Sequence, residues 1–189
     1  MNKERYLLVV SGPSGAGKDT VVRRMREKHP EVEMSVSATT RAPRAGERDG
    51  ADYYFLTHEE FERKIHAGEM LEHVNYCGNY YGTPKSEVDR RIENGVGVVL
   101  VIEVIGAANI KRLYPDATLV FIMPPSVEEL GNRLRGRGTE SEDAIERRMQ
   151  RAAEELQRVD EYDFSVVNDD AGRCADELYE IWMRRRAQG

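Results

Sequence analysis

The stretch that most constrains this chain is a glycine-rich turn, Ser11-Gly12-Pro13-Ser14-Gly15-Ala16-Gly17-Lys18-Asp19-Thr20, fed by the apolar run at residues 6–10. It matches G-x-x-x-x-G-K between a strand and a helix, the setting in which backbone N–H groups curl inward around phosphate. A helix starting at the lysine adds its positive N-terminal end, and the lysine reaches the β- and γ-phosphates. Gly12, Pro13, Ser14, Gly15, Ala16, Gly17, Lys18, Asp19 and Thr20 are therefore the candidate ATP-binding residues. The position after the lysine usually carries a hydroxyl for Mg²⁺; here Asp19 stands there and Thr20 follows. Asp19 either holds a metal-bound water or caps the helix start, and both readings stay open. No direct protein ligand to the metal is expected, only Asp19 or Thr20 meeting the Mg²⁺ that travels with ATP.

A strand that ends in such a loop belongs to an alternating βα chain. Further short apolar runs at residues 32–36, 96–102, 117–123 and 164–167 suit strands buried on both faces of a parallel sheet. Ser126 with Glu129 reads as a capping box opening a helix to about Leu134. Cys174, Leu178, Ile181 and Trp182 form an i, i+4, i+7, i+8 stripe that faces the core of a last helix. Residues 39–84 break this rhythm, with a turn-rich charged stretch, then 53–56, an amphipathic segment at 58–67 and a β-like run at 70–76, as a small mobile inserted lobe would. The charged segment 133–143 has the composition of an exposed flap.

Length and charge narrow the function. A chain of 189 residues predicts one domain with a small insertion. Its 28 Lys+Arg against 34 Asp+Glu leave a net charge of −6, which argues against general nucleic-acid binding and makes any anion site local. No run approaches the roughly 18 apolar residues of a membrane span, and the start does not read as a signal peptide. Cys77 and Cys174 lack CxxC spacing, so a reducing, cytoplasmic setting is expected. His29, His58, His66 and His73 show no metal-site spacing.

Several longer motifs then occur in a fixed order: SVSATTRAPRAGE at 35–47, DGADYYF at 49–55, GNYYGTP at 78–84, PPS at 124–126, GRGTE at 136–140 and VVND at 166–169. Together they resemble the guanylate kinase family over nearly the whole chain. The resemblance implies an α/β P-loop NTPase fold: a parallel five-stranded core sheet flanked by helices, an inserted nucleoside monophosphate-binding lobe and a short lid. It implies a core of 1–38, 84–132 and 159–189, a GMP-binding lobe of 39–83 and a lid of 133–158. The implied reaction is MgATP-dependent phosphoryl transfer to GMP, and to dGMP, giving GDP and ADP, in a monomer or homodimer with no nucleic-acid or membrane partner.

The residue chemistry is compatible with that reaction. Phosphoryl transfer between two polyanions needs cations and positioning more than a strong base. Arg41 and Arg44, three apart in a proline-containing loop, suit a forked clamp on a phosphate. By resemblance they hold the GMP phosphate together with Tyr53 and Tyr81. Glu72, by the same resemblance, reads guanine, whose N1–H and 2-amino donors one carboxylate accepts together; Ser37 and Thr83 contact the base's other polar atoms. Arg137 and Arg148 resemble arginines that a lid brings onto the transferring phosphates, with Arg41 and Lys18 completing the catalytic set and Arg133 a weaker candidate. Asn168 and Asp169 match positions lining the adenine pocket. Where the family shows two acidic residues flanking an apolar one, this chain has Val101-Ile102-Glu103, so only Glu103 is left to serve the GMP site.

Structural alternatives stand beside these roles. Thr83 before Pro84 is a good N-cap for a helix to about Glu93, and Asn168 or Asp169 suits the N-cap of the last helix. Glu72 also fits a solvated strand face. Arg133, Arg135, Arg137, Arg147, Arg148 and Arg151 fit i, i+4 ion pairs on solvated helices. Two other functions also stay open: a kinase acting on ribose 1,5-bisphosphate, and a non-catalytic guanylate-kinase-like binding module.

Overall fold

The computed structural model describes residues 7–76, 78–136 and 141–187. The chain begins β1 (Leu7–Ser11), α1 (Lys18–Lys28), β2 (Val32–Met34), β3 (Ala38–Thr39), β4 (Tyr54–Phe55) and α2 (His58–His66). It continues β5 (Met70–Tyr76), β6 (Asn79–Pro84), α3 (Lys85–Glu93), β7 (Gly97–Val101) and α4 (Val104–Leu113). It ends β8 (Thr118–Met123), α5 (Val127–Arg135), α6 (Glu142–Leu156), a single 3₁₀ turn (Val159–Glu161), β9 (Phe164–Val167) and α7 (Ala171–Ala187).

All five expected core strands form, in one parallel sheet ordered β2-β7-β1-β8-β9. The run Leu7-Leu8-Val9-Val10 is continuous because β1 is central and both its faces are covered. Leu8 and Val10 pack with Met25 of α1 and Leu178 and Trp182 of α7, whereas Leu7 and Val9 pack with Ile92 of α3 and Ile110 of α4. Trp182 is fully buried, and a Cβ added to Gly97 would collide with its ring. The chain leaves β1 toward β2 on one side and reaches β8 on the other. The carboxyl end of β1 is therefore the crevice where α/β sheets bind ligands.

A second sheet, ordered β4-β3-β6-β5, stands apart from the first. Its main unit is the antiparallel β5–β6 hairpin, whose register shifts between Met70 and Glu72 so that Glu72 comes opposite Thr83. α2 is closed by a complete capping box, Thr57 accepting from the Glu60 N–H and the Glu60 carboxylate accepting from Thr57.

Three cap expectations are corrected. Ser126 accepts from the Glu129 N–H at 3.0 Å, but the Glu129 carboxylate pairs with Arg133 rather than reaching back, so only half of that box forms. Thr83 is a strand residue and Pro84 itself is the N-cap of α3, because pairing with β5 carries the extended backbone one residue further. Neither Asn168 nor Asp169 caps α7; the Asp170 carboxylate accepts from the N–H groups of Gly172 and Arg173. The last-helix stripe packs inward as its spacing requires, with Cys174, Leu178 and Trp182 buried and Ile181 half-buried. Burial pushes the free Cys174 thiol up to about 12, which keeps it protonated. Cys77 lies outside the described residues.

Candidate active site

A cleft of about 390 Å³ opens at the carboxyl end of β1, between the two sheets. The turn after β1 supplies one wall through Ser14, Gly15, Gly17, Lys18, Asp19 and Thr20. Ser37, Tyr53, Glu72 and Tyr81 supply the opposite wall, and Glu103 with Arg148 of α6 closes the end between them.

The turn is fixed from behind. Gly12 has φ +139°, and a Cβ there would collide with the Ile122 carbonyl of β8, so the backbone passes where only glycine fits. Gly17, the N-cap of α1 at φ +90°, lies against the Asn168 amide in the same way. Ala16 is fully buried, and its carbonyl accepts from Asn168 Nδ2 at 2.7 Å. Pro13 accepts from the Ala16 N–H and lends its carbonyl, with that of Gly12, to the Lys18 ammonium. Burial lowers the Lys18 pKa, opposed by Glu103, Asp19 and Glu155. Asn168 thus stands behind the turn rather than in the cleft; its carbonyl takes a hydrogen bond from Arg133 at 3.1 Å.

On the opposite wall Glu72 is 7% exposed and accepts from the fully buried Thr83 hydroxyl at 2.7 Å. The solvated-face alternative for Glu72 is excluded by that burial. Burial pushes its carboxyl up, the Thr83 hydroxyl and N–H pull it back, and Glu103 adds to the rise. Gly106 of α4 leaves room for the carboxylate, since a Cβ there would lie 2.9 Å from Glu72 Oε2. Tyr53 and Tyr81 meet edge to face at 6.2 Å. Burial raises the Tyr53 hydroxyl first, and Asp19 from the facing wall raises it further.

Arg41 sits one layer behind Tyr53, and Arg44 is exposed at the edge of the same loop. The Arg41 guanidinium lies 5.6 Å from the Tyr53 ring centre and donates to Glu47 at 2.8 Å, while the Arg44 N–H donates to the other Glu47 oxygen at 2.6 Å. Glu47 therefore occupies the arginine loop as its anion, and Arg41 holds its carboxyl below the usual range. Arg148 Nη2 donates to Ser14 Oγ at 2.5 Å, so α6 touches the phosphate turn directly. Arg133 pairs with Glu129 on its own helix. Arg137 falls outside the described residues. Glu103 is not in a strand: β7 ends at Val101, and Glu103 is the residue from which α4 starts, its carboxylate pairing with Arg151.

Two charged cleft residues escaped the sequence reading as site residues, Arg151 and Glu155. They look like one more i, i+4 surface pair. The usable signal was their spacing from Arg148, at i+3 and i+7, which keeps all three on one helix face.

A parallel sheet whose central strand delivers a glycine-rich turn and its lysine to a cleft that also holds Arg148 and Arg151 is the architecture of a P-loop kinase of the α/β class. Within that class, the guanylate kinase family model matches residues 4–184, and this chain belongs to the guanylate kinase family; it is a nucleoside monophosphate kinase. A guanylate kinase from Rubrobacter xylanophilus is 52% identical over 183 residues, covering 97% of this chain and 95% of the relative. One from Gloeobacter violaceus is 57% identical over 163 residues, covering 86% and 80%. The crystal structure of guanylate kinase from Anaplasma phagocytophilum superposes with a TM-score of 0.76 at 36% identity, covering 94% of this chain and 84% of that one. A shikimate kinase from Bacteroides thetaiotaomicron shares the fold alone, at a TM-score of 0.50 and 12% identity.

Proposed function

We propose that this chain transfers the γ-phosphoryl group of MgATP to GMP, and equally to dGMP, giving ADP and GDP or dGDP. The observation that carries the reading is one cleft faced by a phosphate turn on one wall and by a buried, hydrogen-bonded carboxylate, Glu72, on the other. Gly12 to Thr20 cradle the ATP phosphates, and Lys18 exchanges the Gly12 and Pro13 carbonyls for phosphate oxygens. Glu72, oriented by Thr83, accepts the two guanine donors and leaves adenine, with an acceptor at N1, unmatched. Ser37 contacts the base, and Tyr53 and Tyr81 donate hydroxyls to the GMP phosphate. That phosphate takes the Arg41 guanidinium from Glu47 and draws in the side chain of Arg44, whose N–H Glu47 holds. Glu103 completes the acceptor site, Asn168 supports the adenine side, and Arg148 with Arg137 stabilises charge on the transferring group.

An acceptor phosphate oxygen attacks the γ-phosphorus in line, and no general base is needed because that oxygen is already ionised. Asp19 and Thr20, exposed on the cleft wall beside Lys18, suit a Mg²⁺ that arrives on nucleotide phosphates and keeps most of its waters. When bound it supplies neutralisation of the donor phosphate charge. We divide the chain into a core of 1–38, 84–132 and 159–189, a GMP-binding lobe of 39–83 and a lid of 133–158. Lobe and lid close when both nucleotides bind, and the reaction runs in the cytoplasm, where MgATP is the donor.

The test is ADP release from MgATP with GMP, dGMP, AMP, UMP or ribose 1,5-bisphosphate. Turnover with GMP and dGMP alone is expected, with a loss on the order of 10²–10³-fold in Lys18→Ala. Turnover with the bisphosphate alone makes the chain a sugar-phosphate kinase. Nucleotide binding without turnover makes it a binding module.

A further inference from the structure

α6 presents two guanidiniums to the cleft from one face, Arg148 and Arg151. Arg148 donates to Ser14 of the phosphate turn at 2.5 Å. Arg151, three residues on, donates from Nε to Glu155 Oε1 at 3.0 Å and from Nη2 to Glu103 Oε2 at 3.3 Å. Glu103 begins α4 beside the acceptor wall, so Arg151 crosses from α6 to that side of the cleft.

This is unlike the ion pairs on the solvent faces. The Arg184 and Glu180 side chains are 72% and 62% exposed; Arg151 and Glu103 are 40% and 41% exposed, and Glu155 beneath Arg151 only 10%. A carboxylate loses much of its hydration at such a place and needs a fixed cation. Glu155 feels a second carboxylate as well, because Glu103 faces it across the same guanidinium. α6 is packed on α5 through Ile145, Met149 and Ala152 against Leu130 and Leu134, and Arg151 ties it to α4; without Arg151 the two carboxylates repel, and the tie to α4 becomes a repulsion.

We propose that Arg151 is a positioning residue for phosphoryl transfer: by bridging Glu155 and Glu103 it seats α6 on the cleft, so that Arg148 meets the phosphate turn. This rests on the reading of the cleft as a phosphoryl-transfer site. Its effect is on the reacting geometry rather than on ground-state affinity, since a shift of about 1 Å in a positioning group costs on the order of 10²-fold in rate. Lysine is a poor replacement, because a point charge cannot span two carboxylates as the planar fork does.

The experiment measures kcat and both KM values with MgATP and GMP for the intact chain, Arg151→Ala, Arg151→Lys, Arg148→Ala and the double alanine variant. Thermal melts check the fold, and Arg151→Gln, which keeps the stem to Cδ and removes the charge, replaces alanine at position 151 where that variant fails to fold. Arg151→Ala is expected to lose about 10- to 100-fold in kcat with each KM changed less than about threefold. The double variant is expected within about twofold of Arg148→Ala, because Arg151 acts through Arg148. Arg151→Lys is expected to recover only a minor part of the loss. An unchanged kcat in Arg151→Ala overturns the proposal, as do losses that multiply in the double variant. A defect confined to KM for GMP also overturns it and makes Arg151 a substrate ligand. Absence of GMP turnover in the intact chain overturns the functional reading together with the proposal; turnover there with an unaffected Arg151→Ala overturns the proposal alone.

Discussion

The two walls of the cleft are built on different principles. The phosphate turn is locked to the hydrophobic core: Ala16 is fully buried, Gly12 lies on the β8 backbone and Asn168 braces the turn from behind. The acceptor wall combines the β5–β6 hairpin, which carries Glu72 and Tyr81, with the two-residue strands β3 and β4, and Tyr54 and Phe55 of β4 are only half-buried. Polar contacts do much of the holding there. Glu87 of α3 alone accepts from the Val36 N–H at 3.2 Å, the Tyr54 hydroxyl at 2.9 Å and Arg91 at 2.8 Å. A wall seated on close packing is pre-organised for polyanion binding, whereas one held by a few hydrogen bonds and a thin apolar contact opens at lower free energy. Such a division suits an enzyme that must hold one nucleotide's phosphates and fold around another.

The largest test of that contrast sets two glycines against each other. Gly12→Ala is expected to cost roughly 3 kcal/mol or more, from backbone strain and collision with Ile122. Gly46→Ala, in the arginine loop at φ +89° with nothing within 4 Å of its Cβ, is expected to cost about 1 kcal/mol. Urea denaturation measures both, and equal costs break the distinction between the walls.

Within the acceptor wall, two buried carboxylates are opposed. Glu72→Gln is expected to reduce the preference for GMP over AMP by about 10- to 100-fold in kcat/KM, the value of a bidentate base contact. Their linkage to folding has opposite signs. Burial raises the Glu72 pKa, so ionising it opposes folding as pH climbs from the ordinary carboxylate range through its raised value. Glu72→Gln is therefore expected to stabilise the ligand-free protein at neutral pH, with the gain vanishing at acid pH where both states are protonated. Burial acts to raise Glu87 too, but its hydrogen bonds from Val36, Tyr54 and Arg91 outweigh that and lower it. Its contribution is present above the ordinary carboxylate range and fades as pH falls through the lowered value. Glu87→Gln is expected to lose about 1–3 kcal/mol at neutral pH and progressively less in acid. Melting curves across pH for both variants check the signs, and parallel shifts refute them.

The smallest effect sharpens the comparison. Thr57→Ala removes half of the α2 capping box and is expected to cost about 1 kcal/mol of stability. In a two-wall enzyme it raises KM for GMP while leaving KM for ATP unchanged; an equal rise in both shows that the walls do not yield separately.

Much of this molecule was legible beforehand, and the parts that were not share a cause. The five core strands appear as apolar runs because each is covered on both faces, and the phosphate turn appears because its glycines and lysine lie within a few consecutive residues. Thr83 was ambiguous, since Thr-Pro reads equally as a cap or a strand end; pairing with β5 decided it. Arg151 and Glu155 were hidden because their helical spacing is that of many solvated pairs, and only the seating of α6 turns this one inward. Glu47 gave no sign that it would accept from both the Arg41 guanidinium and the Arg44 N–H, because a loop's closure is set by long-range packing as well as by its own residues.

Sequence by itself determined the family, the parallel sheet and the glycine-rich turn at the end of β1, since these rest on local chemistry and short-range periodicity. Tertiary structure alone decided that Glu72 is buried on Thr83, that Gly106 makes room for it, and that Arg151 joins α6 to Glu103. Those contacts join residues far apart in the chain, and their existence depends on strand register and helix placement, which no short stretch of residues encodes.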